Sequence, residues 1–130
     1  MQVRVLGCSG GIGAGLRTTA FLVDGDVLLD AGTGVGELAY EDMRGIRHVF
    51  VTHSHLDHVA SIPLLVDCLF DELTEPLVVH AQQRTIDALR DHLFNGQIWP
   101  DFSRLPEPGN AVLRFEALEA GEVHRVGNRT

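Results

Sequence analysis

The stretch HSHLDH at residues 53–58 is the most informative part of this 130-residue sequence. It places three imidazoles and one carboxylate within six positions, after an apolar run that ends at Val51 and before another that begins at Ile62. In a chain of this composition, such a cluster arises by chance with a probability of roughly 0.001 to 0.002. We therefore interpret it as a functional site between a strand and a helix.

The spacing within this stretch separates the candidate ligands into two pairs. His53 and His55 are two residues apart at an extended strand end, so their side chains project to the same side. Asp57 and His58 follow on the turn where the chain changes direction. A zinc-like ion takes three or four protein ligands, so the two pairs fit two adjacent ions, each completed from elsewhere in the fold, better than one closed structural site. A helix-capping polar cluster is the alternative, but three neighbouring imidazoles would repel once protonated.

The charge distribution around the motif agrees with bound cations. Between Arg47 and Arg84 there is no Arg, although several carboxylates fall there. Two divalent ions about 3.5 to 4 Å apart can lower the pKa of a shared water and neutralise the oxygens of a phosphodiester or a carbonyl. We therefore expect two divalent metal ions, zinc first and manganese or iron as alternatives, and hydrolysis by a metal-bound hydroxide.

Composition excludes several other classes of function. All ten basic residues are arginines, so a Walker lysine, a lysine Schiff base and a pyridoxal-phosphate site are ruled out. The net charge of -8 disfavours a nucleic-acid partner.

No apolar run reaches the roughly 18 to 20 residues of a membrane span. Cys8 and Cys68 allow at most one disulfide, which suits a reducing compartment. We expect a cytoplasmic chain with no nucleic-acid or membrane partner.

Hydrophobic patterning predicts strands and helices on both sides of the motif. Several strand cores, such as residues 21–23, are continuous apolar runs, which are typical of strands buried on both faces. The expected helices suffice for only one face, so the other needs a second sheet, from further sequence or from another chain. The predicted strands are residues 2–6, 19–23, 27–30, 48–52, 77–80, 112–117 and 122–126, and the predicted helices are 37–43, 62–73 and 86–94.

The chain resembles the metallo-beta-lactamase superfamily, whose motif H-x-H-x-D-H matches His53, His55, Asp57 and His58. More narrowly, it resembles the class II cyclic nucleotide phosphodiesterases and their bacterial relatives. The supporting segments are residues 7–11, 17–19, 29–34, 52–58 and 94–102.

The resemblance implies an α+β fold, the αββα sandwich, of which residues 1–130 form the N-terminal part and roughly the first αβ half. It implies that His53 and His55 hold one ion and that Asp57 and His58 hold the other. It also implies that Asp30 orients a ligand imidazole. Further ligands, a His, a bridging Asp and a last His, are expected from the second half of a longer chain. We choose Asp57 as the catalytic residue, and the substrate-binding residues stay open.

The function expected from these features is that of a metal-dependent hydrolase acting on a small-molecule phosphodiester, with 3',5'-cAMP as the first substrate. Other chemistries of the superfamily are the alternatives: thioester, lactone or transfer-RNA 3'-end hydrolysis. A third possibility is a non-catalytic half that assembles through its uncovered sheet face, and we expect a homo-oligomer. His80, His92 and His124 are expected to be ordinary core or surface histidines rather than ligands.

Overall fold

A computed structural model describes all 130 residues, which form one six-stranded mixed sheet in the order β1-β2-β3-β4-β5-β6. The first three strands pair antiparallel, and β3 to β6 pair parallel. The carboxyl ends of β3, β4 and β5 therefore meet at one edge of the sheet. The strands are β1 (Val3–Gly7), β2 (Ala20–Val23), β3 (Val27–Ala31), β4 (His48–Phe50), β5 (Leu77–Ala81) and β6 (Leu113–Ala117).

Four helices and one 3-10 helix connect the strands. The α-helices are α1 (Tyr40–Met43), α2 (Leu56–Val59), α3 (Ile62–Leu69) and α4 (Gln83–His92), and the 3-10 helix covers Thr33–Glu37. Apolar side chains at helical spacing on α3 are buried, which is why this segment packs as a helix on the sheet. None of the helices combines the length and the apolarity needed to cross a membrane.

The hydrophobic core lies between the helices and one face of the sheet. Leu28, Val49 and Val79 lie side by side on that face and are fully buried. Side chains alternate between faces along a strand, so their sequence neighbours point to the opposite face. There, the strand register places Val5, Phe21, Leu29, Phe50, His80 and Glu116 in one row across all six strands.

This second face carries no helix, as expected from the sequence. Val5 is 59% exposed and Leu29 is 42% exposed. The C-terminal segment covers part of the face near β2 and β3, and Arg129 holds it there through two hydrogen bonds of 2.6 Å to the carboxylate of Asp26. The sheet is therefore covered on its first face by helices, whereas its second face is covered only in part.

The structure differs from the predicted elements at five places. Two are shifted ends: the strand predicted at 48–52 ends at Phe50, and the helix predicted at 86–94 runs from Gln83 to His92. Residues 122–126 form no strand, and only a single bridge joins Val126 to Arg129; Val123 is 77% exposed, so strand pairing there would bury no apolar face. The helix predicted at 37–43 is helical only from Tyr40 to Met43, because Leu38 and Ala39 have extended backbone angles (ψ 139° and 151°) between the 3-10 helix and α1. The helix from Ile62 ends at Leu69 instead of residue 73.

Candidate metal centre

Parallel pairing of β3 and β4 brings two distant segments together at the carboxyl edge of the sheet. Asp30 lies near the end of β3, and the motif at residues 53–58 follows β4. The motif begins three residues after β4 ends, His55 has extended backbone angles, and the turn that we expected after it is the short helix α2, which carries Asp57 and His58. Asp30 and the motif therefore share one edge although more than twenty residues separate them.

Asp30 is the buried polar centre of this edge. It is 3% exposed and has a positive φ of 55°, a backbone conformation that Asp adopts more readily than most residues. Its carboxylate accepts hydrogen bonds from the Thr52 amide at 2.8 Å and from the Thr52 hydroxyl at 2.9 and 3.0 Å. It also lies 2.7 Å from Nδ1 of His58. Because a carboxylate only accepts, Nδ1 of His58 carries a proton in this contact, and in the neutral imidazole Nε2 is then the nitrogen with the lone pair.

The imidazoles of the motif lie against one another. The ring centroids of His53 and His55 are 4.7 Å apart, and those of His53 and His58 are 4.2 Å apart. Oδ2 of Asp57 lies 3.4 Å from Nε2 of His58. The structure therefore brings together all four residues that the motif predicts as ligands, with Asp30 beneath His58.

Asp57 and His58 are spaced as two ligands of one zinc-type ion would be. Two ligand atoms each about 2.0 to 2.1 Å from a tetrahedral ion lie about 3.4 Å apart, which is the distance from Asp57 Oδ2 to His58 Nε2. No group of three or more His, Cys, Asp or Glu side chains has the arrangement of a complete ion site. The four side chains thus have the chemistry of ligands, and Asp57 and His58 also have the spacing of two ligands on one ion, without a closed shell.

Backbone contacts hold α2 against the end of β3. The hydroxyl of Ser61 donates to the carbonyl oxygen of Gly32 at 2.8 Å, and its amide donates to Ala31 at 2.9 Å. A Cβ atom on Gly32 would lie 2.2 Å from the carbonyl oxygen of Asp57, so only glycine fits there. This contact sets the position of Asp57 relative to Asp30.

Sequence reasoning named the four ligand positions and Asp30 but did not identify Thr52, Gly32 or Ser61. Thr52 directly precedes the motif, and this adjacency was the available signal. Gly32 and Ser61 have no signature of their own, because their role depends on the contact between two segments.

The other histidines lie apart from this edge. His80 is buried between His48, whose Nδ1 lies 3.0 Å from its Nε2, and Glu116, whose carboxylate lies 3.4 Å from its Nδ1. Burial lowers the pKa of His80 to about 4. His92 is exposed on α4, and His124 lies 3.9 Å from Glu122. None of the three joins the motif, in agreement with their expected roles as core or surface residues.

The fold defines the class of protein. The chain is similar to the crystal structure of the metallo-beta-lactamase fold protein YhfI from Bacillus subtilis, with a TM-score of 0.66 and 20% identity, over 96% of this chain and 48% of that chain. The sheet with helices on one face, and the motif at its carboxyl edge, therefore belong to a metallo-beta-lactamase-fold protein.

Sequence comparison gives the family. Residues 37–129 match the family model of the class-II cAMP phosphodiesterases, and the chain belongs to this family. It is 31% identical over 87 residues to 3',5'-cyclic-nucleotide phosphodiesterase 1 of Saccharomyces cerevisiae, which is 66% of this chain and 23% of that protein. It is also 35% identical over 130 residues to a ribonuclease Z of Halorubrum lacusprofundi, which is 95% of this chain and 39% of that protein. The chain thus spans about a quarter to two fifths of the length of these curated relatives.

Proposed function

We propose that this chain provides the ligand motif of a metal-dependent phosphodiesterase that hydrolyses cyclic nucleotides, with 3',5'-cAMP as the first substrate. One observation carries the proposal. Three imidazoles and the Asp57 carboxylate meet at the edge of the sheet above the buried carboxylate of Asp30. Membership of the class-II cAMP phosphodiesterase family supports the choice of substrate class.

The proposed ligands are His53 and His55 for one divalent ion and Asp57 and His58 for the other, with zinc as the first candidate. Bound there, two such ions would lower the pKa of a water and neutralise charge on the phosphoryl oxygens. Neutral imidazole and carboxylate are ligands that zinc accepts.

The chain's own residues have distinct tasks in this proposal. Asp30 keeps the Nδ1 proton of His58 in place at 2.7 Å, so that Nε2 faces the open side. Asp57 is the proposed catalytic residue, because its half-exposed carboxylate lies beside His58 Nε2 at the open face of the site. Gly32 and Ser61 hold the backbone of α2, which fixes where Asp57 stands.

A phosphodiester in RNA is the second candidate substrate. The ribonuclease Z relative is 35% identical over 95% of this chain, a larger share than the yeast phosphodiesterase covers. The acidic composition, which led us to expect no nucleic-acid partner, therefore does not separate the two substrate classes. Both candidates need the same metal chemistry and differ in what binds the rest of the substrate.

We also propose that residues 1–130 are the N-terminal part of one αββα domain. The exposed row that includes Val5 and Leu29 would then face a second sheet, or a second copy of the chain in a homo-oligomer. Both thiols are free and exposed, which suits a cytoplasmic location.

The experiment compares hydrolysis of 3',5'-cAMP and of a transfer-RNA precursor by the metal-loaded complete enzyme, including the expected second half, and by two variants of it. Asp57→Ala removes a proposed ligand and should reduce turnover at least about 100-fold, because metal-assisted hydrolysis loses part of its cation binding. Asp67→Ala, an exposed carboxylate on α3, should leave turnover unchanged. Retained activity in Asp57→Ala would contradict the site, and cleavage of the RNA alone would favour the second candidate.

A further inference from the structure

One hydroxyl group connects Asp30 to a second imidazole of the motif. Oγ1 of Thr52 lies 3.0 and 2.9 Å from the two oxygens of Asp30 and 3.0 Å from Nδ1 of His53. Although Thr52 is exposed as a residue, its hydroxyl thus has partners on both sides. The hydroxyl carries a single proton, so its two hydrogen bonds must run in one direction.

The carboxylate fixes that direction. An ionised carboxylate can only accept, and a hydrogen bond to it is stronger than one between neutral groups. If the Thr52 hydroxyl donated to His53, its lone pairs would face the oxygens of Asp30 at about hydrogen-bond distance. The Thr52 hydroxyl therefore donates to Asp30 and accepts from His53, which places a proton on Nδ1 of His53.

We propose that Thr52 is a positioning residue: its hydroxyl, oriented by Asp30, determines which nitrogen of His53 carries the proton. One buried carboxylate thereby sets the tautomers of two imidazoles. Asp30 sets His58 by direct contact, and it sets His53 through the Thr52 hydroxyl. Both rings then keep the lone pair on Nε2. His55, by contrast, has no hydrogen-bonded partner for its imidazole and serves as an internal reference.

The arrangement has a consequence for metal binding, and this part rests on the proposed function. A metal binds the lone pair of a neutral imidazole, and the hydrogen bond of the other nitrogen decides which nitrogen is free. Loss of such an outer partner typically lowers metal affinity about 10-fold to 100-fold. Thr52 would therefore contribute to affinity without touching the ion.

Two substitutions separate the hydroxyl from the rest of the side chain. Thr52→Val keeps the branched shape and the backbone amide that donates to Asp30, but removes the hydroxyl. Thr52→Ser keeps the hydroxyl. The tautomers of His53, His55 and His58 are read in the metal-free chain by nitrogen-15 NMR, at about pH 8.5 where imidazoles are neutral.

In the wild-type chain we expect His53 and His58 to carry the proton on Nδ1. In Thr52→Val, His53 should change to the tautomer distribution of His55 while His58 stays as it was, and Thr52→Ser should match the wild type. Zinc affinity, measured by competition with a chelator, should fall about 10-fold in Thr52→Val alone.

A wild-type His53 with its proton on Nε2 would overturn the proposal, even if Thr52→Val fails to fold. An unchanged His53 in a folded Thr52→Val chain would overturn it as well. Should the wild-type tautomers be as expected while the protein that includes the expected second half binds no zinc, the role of Thr52 would stand and the proposed function would be contradicted. The two failures are therefore distinguishable.

Discussion

Burial of His80 makes one side chain outside the candidate metal centre sensitive to pH. Its imidazole lies between His48 and Glu116 on the helix-free face of the sheet and stacks on Phe50, with ring centroids 4.4 Å apart. Burial lowers the pKa of His80 from 6.5 to about 4, and the neighbouring Glu116 carboxylate opposes this shift. The folded chain therefore holds His80 neutral where an unfolded chain would protonate it.

The predicted result is a loss of stability in mild acid. Above pH 6.5 the imidazole is neutral in both states, whereas between pH 6.5 and about 4 the unfolded chain binds a proton that the folded chain excludes. The free energy of unfolding should therefore fall with falling pH, by at most about 1.4 kcal/mol per pH unit from this residue. Urea unfolding at several pH values measures it.

Two variants isolate the contribution of His80. His80→Gln keeps a polar contact toward His48 but cannot titrate, so its stability should depend less on pH over this window than that of the wild type. His92→Gln removes an exposed imidazole on α4 and should leave the slope unchanged. Equal slopes in wild type and His80→Gln would show that burial of His80 does not contribute.

At the residue scale, the sequence predicts which side chains form the site better than it predicts which residues those side chains contact. His53, His55, Asp57 and His58 were found because their side chains occur at ligand spacing within six positions. The role of Asp30 came only from a family resemblance, because parallel pairing of β3 and β4 makes the contact and spacing along the chain does not encode it. Thr52 was missed because a hydroxyl has no distinctive pattern until both of its partners are placed.

At the scale of elements, the approach of α2 to the end of β3 controls the geometry of the site. A Cβ atom on Gly32 would lie 2.2 Å from the carbonyl oxygen of Asp57 and 2.3 Å from the hydroxyl of Thr18. Gly32→Ala must therefore push α2 away from β3. We expect a loss of about 1 to 3 kcal/mol in the free energy of unfolding, together with weaker zinc binding.

Gly36→Ala is the matched control. Gly36 lies four residues later, in the 3-10 helix that begins directly after Gly32, and a Cβ atom there meets nothing within 4 Å. Its stability and zinc affinity should equal those of the wild type within about 0.5 kcal/mol. Wild-type zinc affinity in a folded Gly32→Ala chain would show that the position of α2 does not determine the ligand geometry.

Elements with a clear apolar pattern were predicted well, and elements defined by packing were not. The strands at residues 19–23, 27–30, 77–80 and 112–117 were found within one residue of their observed ends, because buried strands require continuous apolar runs. The strand predicted at 122–126 was wrong, since no neighbouring strand pairs with this segment apart from a single bridge between Val126 and Arg129. The helix predicted at 37–43 begins only at Tyr40 because Leu38, which is buried in the core, and Ala39 are extended, and the local sequence does not show this packing.

At the scale of the whole molecule, the helix-free face of the sheet carries a row of apolar side chains across its first four strands. Its row runs from Val5 through Phe21 and Leu29 to Phe50, and the half that contains Val5 and Leu29 is exposed. Exposed contiguous apolar surface of this kind marks an interaction site. In the 130-residue chain by itself, the available partner is a second copy, so we expect a concentration-dependent dimer.

Leu29→Glu tests this assignment, because a carboxylate in the middle of the row must be desolvated when a partner covers it. Light scattering coupled to size exclusion should show a dimer for the wild type and a monomer for Leu29→Glu over the same concentrations. Leu64→Glu changes a leucine of similar exposure, 55% against 42%, on α3 at the opposite side of the sheet, and should dimerise like the wild type. A wild-type chain that stays monomeric at every concentration would contradict pairing through this face. Loss of the dimer in both variants would mean that added negative charge, and not the position of Leu29, prevents association.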